Sequence, residues 1–375
     1  MVKVKKVVIF ILMMSIFMTF ISACAETGIV LNPVLRVYNW IDFIDPSVIE
    51  LFTEETGIEI IYKTYESNEH LYNQIRNMNG YSYDVVFPSD YMVKRMTDEN
   101  MLAEIDFRNV PNYKNIDEQY KGQPFDKKNL FSVPYIWGTL CLAYNSEKVT
   151  DDEVKSWEIL WNKKYKNEIL MMNSERESIA IVLKLLNYSM NSKKMTELNE
   201  AKEKLLEQKP LILTYTLDNV KEKMINEEAA IAVMWSSDVK FVKEKNPKIK
   251  FSIPEEGTNI WYDNICILKG SKYKSEAEQF INFLCREDIA LMNAMYLSSG
   301  TPNSAAFNKF SDEMKNNNLV YISDEMIAKS EVFEDLSDWM KTYSSLWTEV
   351  YWAEISDINE ETENIESSEM PELME

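Results

Sequence analysis

The segment NIWYDNICIL, Asn259 to Leu268, places a carboxylate beside two large aromatic side chains. Its last residues form an apolar run that is typical of a strand entering a core. Trp261, Tyr262 and Asp263 stand directly before this run. A carboxylate at the mouth of a buried strand costs free energy unless a positive group pairs with it. The segment therefore predicts a cationic partner for Asp263.

Carboxylates follow four further strand-like segments of the chain, and aromatic side chains accompany them in three of the four. In open α/β sheets, ligands bind beyond the carboxyl ends of the strands. Groups of similar chemistry at corresponding strand ends therefore indicate one shared cleft. The four groups are Trp40 with Asp42 and Phe43; Ser89, Asp90 and Tyr91; Glu175 to Glu177; and Trp235 with Asp238.

The mixture of acids and aromatics defines the ligand that such a cleft would bind. A carboxylate supplies a charge-assisted acceptor for an ammonium group. An aromatic face attracts a cation and also packs against methylene groups. A ligand with two or three ammonium groups on aliphatic spacers uses both properties. These side chains therefore favour a polyamine.

Structural roles are the alternative interpretation of these residues. Tryptophans can be ordinary core residues, and acids are common at the first turns of helices. We assign Asp90 to such a first turn, whereas no helix is predicted after Asp263. The alternative applies to Trp235, Trp261, Asp42, Glu177 and Asp238.

The segments that must position these side chains alternate between strands and helices. LRVYNW, IEIIYKTY and YDVVFPS read as strands, with helices predicted from Pro46 to Thr56 and from Asn68 to Met78. In a second set, FSVPYIWGTLCLAYN is predicted as a strand pair broken at Pro134 and Gly138, and SWEILWNKKYK as a helix. Such alternation predicts an α/β fold with mainly parallel sheets. Two sets in 375 residues predict two lobes with a cleft between them.

Composition limits the classes of partner. The formal net charge is −21, which argues against a nucleic-acid partner because phosphate binding needs clustered basic residues. A solvated acidic surface explains most of this charge, which is also compatible with a cationic ligand. The only histidine is His70, and there is no CxxC spacing. We therefore expect neither a metal site nor a hydrolytic triad.

The first residues predict export. Lys3, Lys5 and Lys6 precede an apolar run that ends in small residues before Cys24, as in a secretory signal. A membrane anchor is the alternative, since the run is near the lower length limit for a span. The segment ISAC resembles a bacterial lipobox, and this resemblance implies cleavage of residues 1–23 and lipid modification of Cys24. A lipid tether would hold the protein on the outer side of a membrane.

Three cysteines remain after Cys24, namely Cys141, Cys266 and Cys285. Cys141 and Cys266 lie in strand-like segments, so we expect them to be small buried apolar residues. A Cys141–Cys266 disulfide is the alternative in an exported protein.

Nearly all of the folded part resembles the spermidine/putrescine-binding proteins of bacterial ABC transporters. The resemblance extends from about residue 35 to residue 307, and the order of residues in TPNSAAF is specific. It implies a two-lobed periplasmic binding protein, an exported component that binds a polyamine, works with a permease and needs no cofactor. The other segments that carry it are VYNWIDFIDP, FTEETGIEIIYKTYESNE, YDVVFPSDYMV, FSVPYIWGT, SWEILWNKKYK, VMWSSDV, FSIPEEG, WYDNICI and INFLCREDIA.

The resemblance also implies a ligand-binding role for residues that match the family pattern. Glu177 and Asp263 match carboxylates that hold the ligand's amines, and Ser89 and Tyr91 match residues that line the cleft. Glu334 falls near a polar position of spermidine-type members. The aromatic walls are Trp40, Trp235 and Trp261, and the acids of putrescine-type members are Asp42 and Asp238.

Three positions depart from the family pattern. Ile41 replaces a hydroxyl residue, Phe43 replaces a tyrosine, and Ser174 replaces the aspartate of spermidine-type members. Tyr91 and Trp261 are spermidine-like, whereas Asp238 is putrescine-like. The resemblance therefore implies a polyamine without distinguishing spermidine from putrescine.

The predicted domain organisation follows from these segments. A signal peptide (1–23) and a lipidated tether (24–34) precede a first lobe of residues 35–138 and 265–328. The second lobe comprises 139–264 and 329–356, and an acidic tail (357–375) is predicted to be disordered. We expect a monomer that performs no catalysis.

Other functions remain open at this point. An exported glycosidase would use two of Glu177, Asp238 and Asp263 as its carboxylate pair, with tryptophans stacked on sugar. The same fold could bind another solute, such as a sugar or ferric ion. It could also serve signalling or adhesion, since a fold does not determine its use.

Overall fold

The computed structural model describes residues 33–77, 82–217, 219–297, 299–315 and 321–354. The predicted signal peptide, Cys24 and the predicted acidic tail lie outside these residues. Within the described ranges, no helix has the length and apolarity needed to cross a membrane.

The strands lie mostly where apolar runs predicted them. They are β1 (Val34–Trp40), β2 (Glu59–Tyr65), β3 (Val85–Val86), β4 (Ser132–Asn145), β5 (Ile169–Met172), β6 (Ile212–Thr216), β7 (Ile231–Trp235), β8 (Ile249–Ser252), β9 (Asn259–Ile267) and β10 (Glu331–Val332).

The α-helices of the described ranges surround these strands. They are α1 (Pro46–Thr56), α2 (Asn68–Asn77), α3 (Asp90–Asp98), α4 (Glu175–Leu185), α5 (Met195–Gln208), α6 (Val220–Ile225), α7 (Ser236–Lys245), α8 (Lys274–Leu284), α9 (Glu287–Leu297), α10 (Ser304–Lys309), α11 (Asp312–Lys315), α12 (Asp324–Lys329) and α13 (Trp339–Trp352). Short 3-10 helices span Phe107–Asn109, Pro111–Asn115, Glu118–Tyr120, Glu153–Lys155, Trp157–Trp161, Lys163–Tyr165 and Lys209–Leu211.

The strands form two mixed sheets that share β4. The strand order is β2-β1-β3-β9-β4-β7-β5-β6, with β10 beside β9 and β8 beside β4. β1 pairs in parallel with β2 and β3, and β5 pairs in parallel with β6 and β7. We define lobe I as β1, β2, β3, β9, β10 and the helices packed on them. Lobe II is built on β5, β6, β7 and β8.

Strand β4 links the two lobes. Its residues 132–139 pair with β9, and its residues 140–145 pair with β7 and β8. The predicted break into two strands is wrong, because β4 is one continuous, fully buried strand of 14 residues. Its register shifts between Pro134 and Ile136, and such an irregularity accommodates a proline that lacks an N–H.

Each sheet carries apolar packing on both faces. In lobe I, Phe52 of α1 contacts the rings of Phe280 and Phe283 of α8, whereas α2 and α3 belong to a separate cluster. In lobe II, Trp157 belongs to one cluster, and α6 and α7 belong to another. This layering is what strand–helix alternation predicts.

One local prediction differs from the structure, and one alternative is decided. SWEILWNKKYK was predicted to be helical, but it forms two 3-10 helices because Asn162 interrupts the segment and caps the second one through its side chain. Cys141 and Cys266 are buried and free, so the disulfide alternative is wrong.

Candidate functional site

The carboxyl end of β3 meets β9 at Ser89 and Asp263, as the strand-end argument predicts. The Ser89 hydroxyl donates to Asp263 Oδ1 over 2.6 Å, and Asn68 Nδ2 donates to the same hydroxyl over 3.0 Å. The Asn68 side chain also accepts from the Ser89 N–H. Asn68 therefore orients the serine so that its proton points at the carboxylate. The sequence predicted Asn68 only as the start of a helix and not as a residue of this site.

Asp90 lies beside this pair and connects α3 to β9. It is the first residue of α3, as predicted, and only 1% of its surface is exposed. Its carboxylate accepts the N–H of Tyr91 over 2.6 Å and the N–H of Tyr262 over 3.2 Å. Asp90 thus fixes the backbone next to Asp263.

Burial shifts the titration of both carboxyls. It raises the pKa of Asp263 to about 7, and the hydrogen bond from Ser89 offsets part of that shift. Burial also raises the pKa of Asp90 to about 8, with a contribution from the charge of Asp263. Each carboxylate is therefore costly to ionise unless a cation approaches.

Aromatic residues end or belong to the strands near Asp263 and Asp90. Trp40 ends β1 and donates from Nε1 to the carbonyl of Phe87 over 2.9 Å. The ring of Phe43 lies 6.3 Å from that of Trp40. Trp261 and Trp235 meet edge to face at 6.2 Å between ring centroids. Trp235 belongs to β7 and Trp261 to β9, so this contact joins the lobes.

The orientation of Trp261 depends on Gly138, which sequence reasoning treated only as a strand break. The two residues face each other across β4 and β9. A Cβ atom on Gly138 would lie 2.4 Å from Trp261 Cζ2 and 2.7 Å from Ser236 Oγ. Ser236 Oγ in turn accepts the N–H of Thr139 over 3.1 Å. The tryptophan ring therefore occupies the space that a side chain would take.

Lobe II contributes Ser174 and Glu177 at the start of α4. The Ser174 hydroxyl donates to the Glu177 carboxylate. Burial raises the pKa of Glu177, and the bond from Ser174 works in the opposite direction. Glu177 and Asp263 thus resemble each other, since each is held by a serine hydroxyl.

Arg176 supports this part of lobe II, and sequence reasoning did not single it out. Its side chain is buried, with 8% of the residue exposed. Nη2 donates to Asn191 Oδ1 and to the Glu334 carbonyl, and the guanidinium carbon lies 4.3 Å from the centroid of the Phe333 ring. The signal available in the sequence was the position of this basic residue between two acids, Glu175 and Glu177.

Tyr91 extends from α3 of lobe I onto lobe II. It packs against a small cluster formed by Ala180, Met190 and Phe333. Its hydroxyl donates to Glu69 over 3.0 Å. Tyr91 therefore brings the acid group of lobe I next to the Glu177 region.

Three predicted acids lie in other surroundings. Asp42 is exposed, with a left-handed backbone at φ 53°. Glu334 is also exposed, and its backbone rather than its side chain is tied to Arg176 and Asn191. Asp238 lies 3.2 Å from Lys221 Nζ.

The raised pKa values predict a dependence of stability on pH. From pH 4 to about pH 7 for Asp263, and to about pH 8 for Asp90, the folded protein holds a proton that the unfolded chain has released. The free energy of unfolding of the ligand-free protein should therefore fall as pH rises through this window. Hydrogen bonds from basic side chains lower the pKa values of Asp106 and Glu153 to about 2, so in the folded protein these acids titrate below this pH window.

Urea unfolding at pH 5, 6, 7 and 8 measures this dependence. Asp263→Asn should reduce the slope of stability against pH, whereas Asp338→Asn, at an exposed acid, should not change it. A wild-type stability that stays level or increases from pH 5 to pH 8 would contradict the assignment.

Comparison with known proteins identifies the family of this two-lobed chain. Residues 47–320 match the family of bacterial extracellular solute-binding proteins. The chain belongs to this family. The predicted α/β fold of a two-lobed periplasmic binding protein is confirmed, and so is the resemblance on which it was based.

Curated relatives extend over most of the chain. The spermidine/putrescine-binding periplasmic protein of Salmonella typhimurium is 34% identical over 320 residues, covering 85% of this chain and 91% of that protein. Its counterpart in Escherichia coli is 33% identical with the same coverage. The putrescine-binding periplasmic protein SpuD of Pseudomonas aeruginosa is 29% identical over 339 residues, covering 85% and 92%.

Solved structures share the fold. The spermidine/putrescine ABC transporter substrate-binding protein PotD of Streptococcus pneumoniae is 37% identical with a TM-score of 0.79, covering 85% of this chain and 99% of that one. A lipoprotein of Treponema pallidum is 25% identical with a TM-score of 0.75, covering 84% and 99%.

Proposed function

We propose that this protein is the extracytoplasmic substrate-binding component of a polyamine ABC importer. It binds spermidine, putrescine or both between its lobes and performs no catalysis. The names of the family relatives support the ligand class, since they include both spermidine/putrescine-binding and putrescine-binding proteins.

The observation that carries the proposal is the state of Asp263. The residue is 6% exposed, and among the described residues no lysine or arginine pairs with it. Its hydrogen-bond partner is the Ser89 hydroxyl, and burial raises its pKa. To stay ionised, a buried carboxylate of this kind needs a cation, and no residue in the described part of the chain supplies one. The ammonium group of a polyamine meets that need.

Ligand binding and lobe closure are coupled in this proposal. In an open cleft, water solvates Asp263 and Glu177. Closure without a cation would bury these charges unpaired, so only a ligand with ammonium groups makes the closed state favourable. Tryptophan faces then pack against the methylene groups between the amines. The packing of Tyr91 of lobe I against the cluster that contains Ala180 of α4 supports such a closed arrangement.

Transport by the intact system tests the proposal. Cells that depend on this protein should accumulate radiolabelled spermidine or putrescine, and cells lacking it should not. Unlabelled polyamine should compete for uptake, whereas a neutral sugar should not. Equal uptake with and without the protein would refute its role as the binding component.

The glycosidase alternative makes a different prediction. A carboxylate pair drawn from Glu177, Asp238 and Asp263 would hydrolyse a glycosidic bond. We propose that these acids bind the ligand's ammonium groups and do not cleave a glycosidic bond. The names of the relatives, which are binding proteins, support this proposal. Release of reducing sugar from any oligosaccharide by the purified protein would contradict this.

We also propose that Cys24 carries a lipid that tethers the protein to the outer side of a membrane, where it meets its permease as a monomer. The lipobox-like segment ISAC and the Treponema pallidum lipoprotein support this tether. Cys24→Ala should abolish incorporation of labelled palmitate. Cys285→Ala, at a buried cysteine, is the matched control and should retain the label.

A further inference from the structure

Asp238, one of the acids expected to bind ligand, has a basic partner within the chain. It lies in the first turn of α7, and Trp235, three residues earlier, contacts Trp261 at the lobe junction. Lys221 of α6 places its Nζ 3.2 Å from Asp238 Oδ1. Asp238 is therefore already paired, in contrast to Asp263 and Glu177, which have serine hydroxyl partners.

The surroundings of Lys221 resemble those expected for a ligand amine. Its Nζ lies 5.8 Å from the centroid of the Phe241 ring as well as beside Asp238. A lysine side chain is a primary ammonium on four methylene groups. Carboxylate and aromatic face thus hold an alkylammonium group that belongs to the protein itself.

We propose that Lys221 limits the affinity of the site for amines because it competes with a ligand ammonium for Asp238. This inference rests on the proposed polyamine function. With Asp238 neutralised by Lys221, Glu177 and Asp263 are the acids that remain available to the ligand. An ammonium group that reaches Asp238 finds this acid already paired.

The proposal predicts a gain in amine affinity when Lys221 is neutralised. Lys221→Gln frees Asp238 for an ammonium group of the ligand. An ion pair that is partly exposed, as the exposed fractions of 41% for Lys221 and 27% for Asp238 indicate, contributes a modest free energy. We therefore expect spermidine to bind about fivefold more tightly. Putrescine should also bind more tightly, since Asp238 matches an acid of putrescine-type members.

Lys223 provides a matched control on the same helix. It pairs with Glu228 over 2.7 Å, so Lys223→Gln removes an equal charge from α6 without freeing Asp238. Comparison of the two variants separates a specific effect from the general loss of positive charge. Because Lys221 is partly exposed, its substitution should leave the melting temperature of the protein nearly unchanged.

Titration calorimetry of wild type, Lys221→Gln, Lys223→Gln, Asp238→Asn and Lys221→Gln/Asp238→Asn with both amines tests the inference. The expected result is a spermidine gain in Lys221→Gln that is absent from Lys223→Gln. The gain should also vanish when the double variant is compared with Asp238→Asn alone. A gain that persists without Asp238, or that equals the effect of Lys223→Gln, would overturn the inference. So would an unchanged affinity in Lys221→Gln.

The failure of the underlying function gives a different result. If the wild-type protein binds neither amine, the polyamine function fails, and the role of Lys221 fails with it. If the wild type binds and Lys221→Gln binds identically, only the role of Lys221 fails.

Discussion

Asp263→Asn is expected to weaken spermidine binding by more than tenfold. The substitution keeps the size of the side chain and its contact with Ser89, but it removes the negative charge. A buried charge pair that loses one partner costs about 2–5 kcal/mol, because the ammonium group would then lie unpaired in a site of low polarity.

The same substitution should stabilise the ligand-free protein at pH 8. Burial raises the pKa of Asp263 to about 7, so ionisation of this carboxyl opposes folding at that pH. Loss of affinity together with a higher urea midpoint would separate a role in binding from a role in structure. If Asp263 had only a structural role, its substitution would lower both the spermidine affinity and the urea midpoint.

Calorimetry and urea unfolding at pH 8 provide both measurements. Asp338→Asn is the control, because Asp338 is exposed and its side chain caps no helix N–H. Unchanged spermidine affinity in a folded Asp263→Asn protein would remove Asp263 from the binding site.

Gly138→Ala should weaken ligand binding by about tenfold by moving the Trp261 ring. The added Cβ would lie 2.4 Å from Trp261 Cζ2, closer than atoms pack, so the ring or the strand must shift. Overpacking of this kind costs about 1–3 kcal/mol of stability. Because Trp261 also contacts Trp235 of lobe II, the displacement should alter the wall of the cleft.

A variant that is destabilised elsewhere separates these two effects. Val350→Ala removes a buried side chain from the cluster in which α13 packs against α4 and α5. It should lower stability by about 1–3 kcal/mol, as expected for truncation of a buried aliphatic side chain, and leave the dissociation constant for spermidine within about twofold. If calorimetry finds wild-type spermidine affinity in Gly138→Ala, ligand binding does not depend on the space that Gly138 leaves for the Trp261 ring.

The sequence predicted the strand ends of the site because the apolar runs are short and end in polar residues. This argument brought Ser89 and Asp263, which are 174 positions apart, into one group, and the structure joins them by a hydrogen bond. It also assigned Asp90 correctly to the first turn of a helix. These features depend on local patterns.

Features that depend on distant contacts were not predictable in the same way. A glycine inside an apolar run usually weakens a strand, whereas Gly138 makes room for a ring from β9. The pairing of Lys221 with Asp238 joins two helices whose proximity no local pattern encodes. Arg176 likewise acts through Asn191 and the backbone of Glu334. The domain boundaries and the binding roles of the individual site residues remain predictions.

Calorimetric titration of the purified protein with spermidine, then with putrescine, tests the central claim most directly. We predict binding of at least one amine with a micromolar or lower dissociation constant, and the ratio of the two affinities would report the selectivity of the cleft. The absence of heat with both amines, from a sample shown to be folded, would contradict the polyamine function and leave the cleft to a different ligand.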